Sequence, residues 1–258
     1  MEKTGDNLAR LQRKFIIGGI ALAPVAPLLY LQGQITRWKV GVLPDAAGER
    51  RGRTGEGEHA KKLFVIGEST VAGLGARTHE LALAGQFAKQ LAAHLNTSVE
   101  WHVLGRNGVT ARRTIDELIP QMPQLTNGEQ FDYILLGLGG NDVMRLSSPR
   151  KWRRDMTELL AILRGQSAHA RIFITNCPMI VASPIMPEPI RGLLWRLSQM
   201  HDANIREFTA EMNRVYYYPQ PVDVRFEGFF ADGIHPSEQG YADWAAAMMR
   251  NFTENHKW

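Results

Sequence analysis

Leu63-Phe64-Val65-Ile66-Gly67-Glu68-Ser69 is the stretch that decides how this chain reads. Four consecutive large apolar residues make a strand with no polar face, which is the pattern of a strand covered on both sides. The serine follows directly, at the strand's C-terminal end, where an open parallel sheet places its ligand crevice.

Working outward, strand-like and helix-like segments alternate. His79 to Leu95 predicts a helix with Leu83, Phe87, Leu91 and Leu95 on one face. Val99 to Leu104 predicts a strand, Ala111 to Met122 a helix and Phe131 to Leu138 the most apolar strand. Pro149 to Arg164 predicts a helix, Arg171 to Asn176 a strand, and Pro236 to Phe252 a closing helix. Apolar strands separated by helices of this length indicate an α/β fold with a parallel sheet covered on both faces. No internal repeat or low-complexity segment interrupts it.

Composition sets the outer bounds. The 258 residues leave room for one domain of roughly 200 residues and a short appendage. Hydrophobic residues at 44% and charged residues at 22% indicate neither disorder nor a polytopic membrane protein. The single cysteine, Cys177, excludes an intrachain disulfide framework and reads as a packed thiol at a strand end. A net charge of +4 without an aromatic-interleaved basic stripe does not point to nucleic acid as a partner. The charge suits a solvated surface, or attraction to an anionic membrane.

The chain divides into an N-terminal segment over 1–40, a linker over 41–62 and the main domain over 63–258. Phe15 to Leu31 is almost wholly apolar, with Arg10, Arg13 and Lys14 before it and Arg37 and Lys39 after it. An uncleaved membrane anchor is the favoured reading, although Pro24 and Pro27 interrupt the stretch. A signal peptide cut near Ala21-Leu22-Ala23 and a helix packed on the domain are the alternatives. Flanking charge nearly cancels, so it does not set orientation; a periplasmic or extracytoplasmic domain is marginally favoured. The linker is rich in Gly, Arg and Glu and is expected to be solvated.

Four motifs in fixed order carry the chemistry: Gly67-Glu68-Ser69, Asn107-Gly108-Val109-Thr110, Gly139-Gly140-Asn141-Asp142 and Asp232-Gly233-Ile234-His235. A serine hydroxyl needs a base to become nucleophilic. His235 is placed to be that base for Ser69, and Asp232 to hold the imidazole tautomer. A tetrahedral intermediate needs donors aimed at its oxyanion. The backbone N–H of Ser69, at an expected helix N-terminus, the N–H of Gly108 and the side-chain amide of Asn141 supply them. Asp142 is read as a cap for the loop or the next helix.

At these residues the chain resembles the SGNH hydrolases, the GDSL-type esterase/lipase family, from Leu63 to about Met249. The family's Ser, Gly, Asn and His match Ser69, Gly108, Asn141 and His235, and its Asp three residues before the His matches Asp232. The resemblance implies a three-layer fold with a five-stranded parallel sheet of flavodoxin-like order, without the sharp nucleophile elbow of α/β-hydrolases. It also implies hydrolysis of carboxylic esters through an acyl-serine intermediate. Glu68 departs from the family's Gly-Asp-Ser by one methylene, which bears on how the first loop is braced. Val103 stands where many members carry Asn.

Met179 to Trp195 is the best clue to substrate. Ile180, Ile185, Leu194 and Trp195, in a proline-interrupted apolar stretch, either line a pocket for short to medium acyl chains or pack a helix onto the sheet. A small-molecule or lipid ester is the expected substrate. No cofactor and no metal are expected, since no residues have metal-ligand spacing. O-acyl transfer by the same serine, and a silent membrane-tethered binding module, are the competing functions.

Overall fold

The structure, a computed structural model, describes residues 2–221 and 226–256. Six strands form one sheet in the order β1-β3-β2-β4-β5-β6. They are β1 (Arg51–Thr54), β2 (Lys61–Gly67), β3 (Val99–Gly105), β4 (Tyr133–Gly137), β5 (Arg171–Ile174) and β6 (Val215–Tyr217). From β3 to β6 every pairing is parallel, and β1 alone runs antiparallel, against β3. The parallel strands have the expected flavodoxin-like order. Strand order reverses around β2, so the crevice opens at the C-terminal ends of β2 and β4.

Side-chain alternation in the strands builds three layers. Phe64 and Ile66 of β2 face one way and Leu63 and Val65 the other, and all four are fully buried. The first pair joins a core with Trp152, Leu159 and Leu163 of α7 (Pro149–Gln166). The second joins a core with Phe87 and Leu91 of α3 (Leu83–Leu95) and with Tyr241, Met248 and Phe252 of α9 (Glu238–Asn255). The helix expected over 111–122 is a broken run: α4 (Ala111–Arg113), a π turn, a 3-10 turn and α5 (Met122–Thr126). Pro120 and Pro123 each remove a donor from the run, which explains the breaks. The short α6 (Gly140–Met144) follows β4, and α8 (Ile190–Thr209) precedes β6.

The segment expected to be a solvated linker is partly built into the domain. Ala46 is buried and donates its N–H to Ala72 O at 3.0 Å. Arg51–Thr54 adds β1 to the edge of the sheet, in register with His102 to Val99. The composition, rich in Arg and Gly, hid a strand whose partner supplies the apolar contact. A Cβ on Gly52 would stand 2.3 Å from Cζ2 of the buried Trp101. Ahead of it lie α1 (Glu2–Leu22) and, after a 3-10 turn, α2 (Ala26–Val40). The run Asp6–Val40 is long and apolar enough to cross a membrane by length and composition.

Gly52→Val tests the edge strand. In an exposed strand valine would be neutral or helpful, but here it drives into the Trp101 indole. Urea unfolding is expected to show a loss of about 1–3 kcal/mol, the usual cost of overpacking. Unchanged stability would mean that 51–54 does not pack on β3.

Candidate active site

The chain leaves β2 at Gly67 and passes into a series of tight turns. Val71 and Ala72 donate their N–H groups to Glu68 O at 2.9 and 3.0 Å, and Leu74 donates to Ser69 O at 3.1 Å. The helix expected at Ser69 is therefore absent. Gly73 and Gly75, at φ of 80° and 94°, bend the chain in a region that helical residues do not use. Ser69 sits in this turn and is 7% exposed. A Cβ on Gly75 would lie 2.2 Å from Pro236 O and 3.1 Å from Ala231 Cβ. The glycine thus lets the Ser69 turn pack directly on the two ends of the loop that carries Asp232 and His235.

That loop is organised by one carboxylate. Asp232 Oδ1 accepts the N–H groups of Ile234 and His235 at 2.9 and 2.7 Å, and Oδ2 meets His235 Nδ1 at 2.8 Å. Burial by itself would raise the Asp232 carboxyl. The bonds from His235 and Ile234 outweigh it, and the net shift is downward, so the group is held ionised. With Nδ1–H committed to Asp232, the free lone pair of the ring lies on Nε2, on the opposite side. Ser183 Oγ donates to Gly233 O at 2.6 Å and pins the loop from the other flank. His235 does not hydrogen-bond Ser69 in this structure; such contacts often close only around substrate.

The most connected residue of the site is Glu68, which the sequence reading treated only as a departure from a motif. Its carboxylate lies under the loop after β4 and accepts from Gly140 N and Asn141 N, each at 2.7 Å, and from Asn141 Nδ2 at 2.5 Å. Burial pushes its carboxyl up to about 7, against the opposing effect of these donors; nearby Asp142 adds to the rise. One amide hydrogen of Asn141 is thereby engaged and the other is left for a ligand. Asp142, fully buried, reaches the other way: Oδ2 accepts from Ala111 N at 2.9 Å, at the start of α4, and Oδ1 accepts from Ser147 Oγ at 3.1 Å. Burial raises its carboxyl to about 6. The sequence reading has Asp142 cap its own loop or the next helix; it braces its loop through Ser147, but the helix start it bonds is that of α4, after Gly108, and Ser148 caps α7. Gly108 has φ +81°, and its carbonyl accepts from Arg113 Nη1 at 3.0 Å. The Asp-or-Glu positions of the first and third motifs were visible in the sequence; their cross-bracing was not, because it links residues 72 and 31 apart.

The four residues expected to line a pocket do not share one. Leu194 is buried in a cluster with Val143, Met186, Ile190 and Leu197, where Ile180 and Ile234 also pack. Ile185 lies against Gly233 and borders a groove of about 360 Å³ that faces α2, with Leu28, Leu31 and Ile35 opposite. Trp195 is half-buried on α8. The packing alternative accounts for Leu194, since a side chain sunk in that cluster lines no open cavity. Cys177 is buried, and burial pushes its thiol far up. Among the described residues no group of three or more His, Cys, Asp or Glu could hold a metal ion.

No curated protein matches the sequence. Among solved structures, the lipase Lip_vut3 from a goat rumen metagenome superposes with a TM-score of 0.58 at 15% identity, over 76% of this chain and 97% of that one. Axe2, an acetyl-xylooligosaccharide esterase from Geobacillus stearmophilus, gives 0.56 at 16% identity, over 80% and 97%. A family 3 carbohydrate esterase from Clostridium thermocellum gives 0.55 at 15%, over 76% and 96%. These likenesses share the fold. The model of the GDSL-like lipase/acylhydrolase family matches residues 65–242, well over half the chain and all four motifs, and the protein belongs to that family of ester hydrolases.

Proposed function

We propose that the protein cleaves carboxylic esters of short to medium acyl chain through an acyl-serine intermediate at Ser69. His235 Nε2 takes the Ser69 proton as Oγ attacks the carbonyl carbon, and Asp232 stabilises the imidazolium that forms. The N–H groups of Ser69 and Gly108 and the free amide hydrogen of Asn141 hold the oxyanion. Collapse of the tetrahedral intermediate expels the alcohol, protonated by His235. Water then attacks the acyl-enzyme with His235 again as base, releasing the acid and restoring the serine. The observation that carries this reading is the Asp232–His235 contact at 2.8 Å, on a loop that packs against the Ser69 turn through Gly75. The lipase and carbohydrate esterases of the same fold act on esters by their descriptions, which supports the bond cleaved and leaves the acid and alcohol to experiment.

Hydrolysis of p-nitrophenyl esters from acetate to palmitate tests the proposal. Ser69→Ala is expected to lower kcat by about 10³-fold or more with the fold intact, and Asn141→Ala by about 10²–10³-fold. Rates should peak at or below medium chain length. Undiminished turnover by Ser69→Ala would overturn the assignment. Added alcohol acceptors that divert the acyl group in preference to water would mark the enzyme as a transferase.

Glu68 is a positioning residue in this scheme, and its titration gives a separate readout. An unfolded glutamate ionises near 4.5, whereas folded Glu68 ionises near 7. Between those values the folded state binds the extra proton, so this group makes stability fall as pH rises from about 4.5 to about 7 and adds no slope above that. Glu68→Gln should flatten this part of the Tm-against-pH curve. It should also lower kcat about tenfold with little change in KM, because its NH2 group faces donors that need an acceptor. An unchanged curve would show that Glu68 is not buried under the Asn141 loop.

A further inference from the structure

Every exposed large apolar side chain among the described residues lies in one of two places. One is the N-terminal segment from Ile16 to Val42, which is the helix pair and the two residues after it, and the other is the trio Met144, Leu146 and Val181. Isolated exposed apolar residues are ordinary, but confinement of all of them to two patches marks a surface that meets something apolar.

The helix pair is tied down at both ends. On the N-terminal side Asn7 donates to the Glu207 carboxylate on α8, Gln12 accepts from Arg150 N at 3.1 Å, and Leu11 is buried. On the C-terminal side Gln32 donates to Glu188 O at 2.8 Å, Gly33 faces Ile190, and Thr36 is buried. Phe15 and Leu29, at the two ends of the apolar stretch, both pack on the cluster that holds Ile190 and Leu194. Between them most side chains are exposed, and a 3-10 turn at Ala23–Val25 with Pro24 and Pro27 interrupts the run. A spanning helix must put its flanks on opposite sides of about 30 Å of hydrocarbon. Here both flanks are bonded to α7, α8 and Glu188 just ahead of α8, on one domain.

The occupant is identified by charge. Arg10, Arg13 and Lys14 before the apolar stretch and Arg37 and Lys39 after it are all exposed, as is Trp38 at 83%. Cations and an indole bordering an apolar face fit the headgroup layer of an anionic membrane. The second patch belongs to the rim of the site. Met144 and Leu146 follow Asn141, and Leu146 holds a left-handed φ of +54° with its side chain in solvent. Val181 sits two residues before Ser183, which bonds the loop between Asp232 and His235. Val143 and Ile180, their neighbours in sequence, pack into the cluster that Phe15 and Leu29 touch.

We infer that the protein is monotopic. The helix pair lies in one leaflet of an anionic membrane with both flanks on the side of the catalytic domain, and Met144, Leu146 and Val181 seat the rim of the site on that leaflet. This rests on the docked helices and not on the chemistry of Ser69.

The test is side-selective labelling of the full chain in sealed native vesicles with a membrane-impermeant maleimide. Asp6→Cys and Glu58→Cys place thiols at two exposed positions, one before the apolar stretch and one in the domain, and Cys177 is buried and gives little background. The two are expected to label together or to be protected together in every vesicle orientation. Labelling of one alone would overturn the inference in favour of a spanning helix. Recovery of the protein free of membrane, as a dimer that buries the helix pair, would also overturn it. A polarity-sensitive dye on Leu146→Cys should shift to the blue on phosphatidylglycerol vesicles and less on phosphatidylcholine; no shift on either would overturn the seating of the rim. Neither readout depends on ester turnover, so failure here and failure of the catalytic reading are separable.

Discussion

A single buried carboxylate, that of Glu68, holds the site in register. Leaving water costs an ionised group several kcal/mol unless donors replace the solvent, and three N–H groups from the loop after β4 offset part of that cost for Glu68. The loop cannot shift without stripping partners from the carboxylate. Asp142, one residue beyond Asn141, repeats the arrangement toward the start of α4. The three proposed oxyanion donors come from three different strand ends, and two acidic side chains lock those ends to one another. Neither acid is given a chemical step in the proposed mechanism, yet both fix where its donors point.

The fold was legible where burial acts on contiguous residues. Leu63 to Ile66 announced a strand covered on both faces, and alternate residues of it do enter separate cores. His79 to Leu95 announced a helix, which starts later, at Leu83, because the turns after Ser69 extend further than apolar spacing shows. Asp232 and His235 were legible because a loop of four residues converges by itself. What escaped was set by partners distant in sequence. β1 exists because Trp101 and the edge of β3 receive it, and nothing in Arg-Gly-Arg-Thr declares that. Leu194 looked like the lining of a pocket because apolar character alone does not say whether a side chain meets ligand or protein.

The apolar cluster around Ile190 and Leu194 joins parts of the molecule that the sequence keeps apart. Val143 reaches it from the Asn141 side, Ile234 from the His235 loop, and Phe15 and Leu29 from the N-terminal helices. One packed unit therefore touches both loops of the proposed catalytic site and the segment inferred to meet the membrane. Packed interiors have low compressibility and transmit strain, and the helices and the two loops share one packed contact through these side chains.

The bond between Asn7 and Glu207 spans 200 residues of chain, and that separation has a consequence for the order of synthesis. The N-terminal helices leave the ribosome long before α8 exists to receive them. Through most of translation their docking face has no protein partner. Closing so long a loop is also a late event in folding, since its entropy is offset only when the intervening sheet is already formed. Under the monotopic arrangement inferred above, the helices settle on the bilayer first and the domain closes against them afterwards.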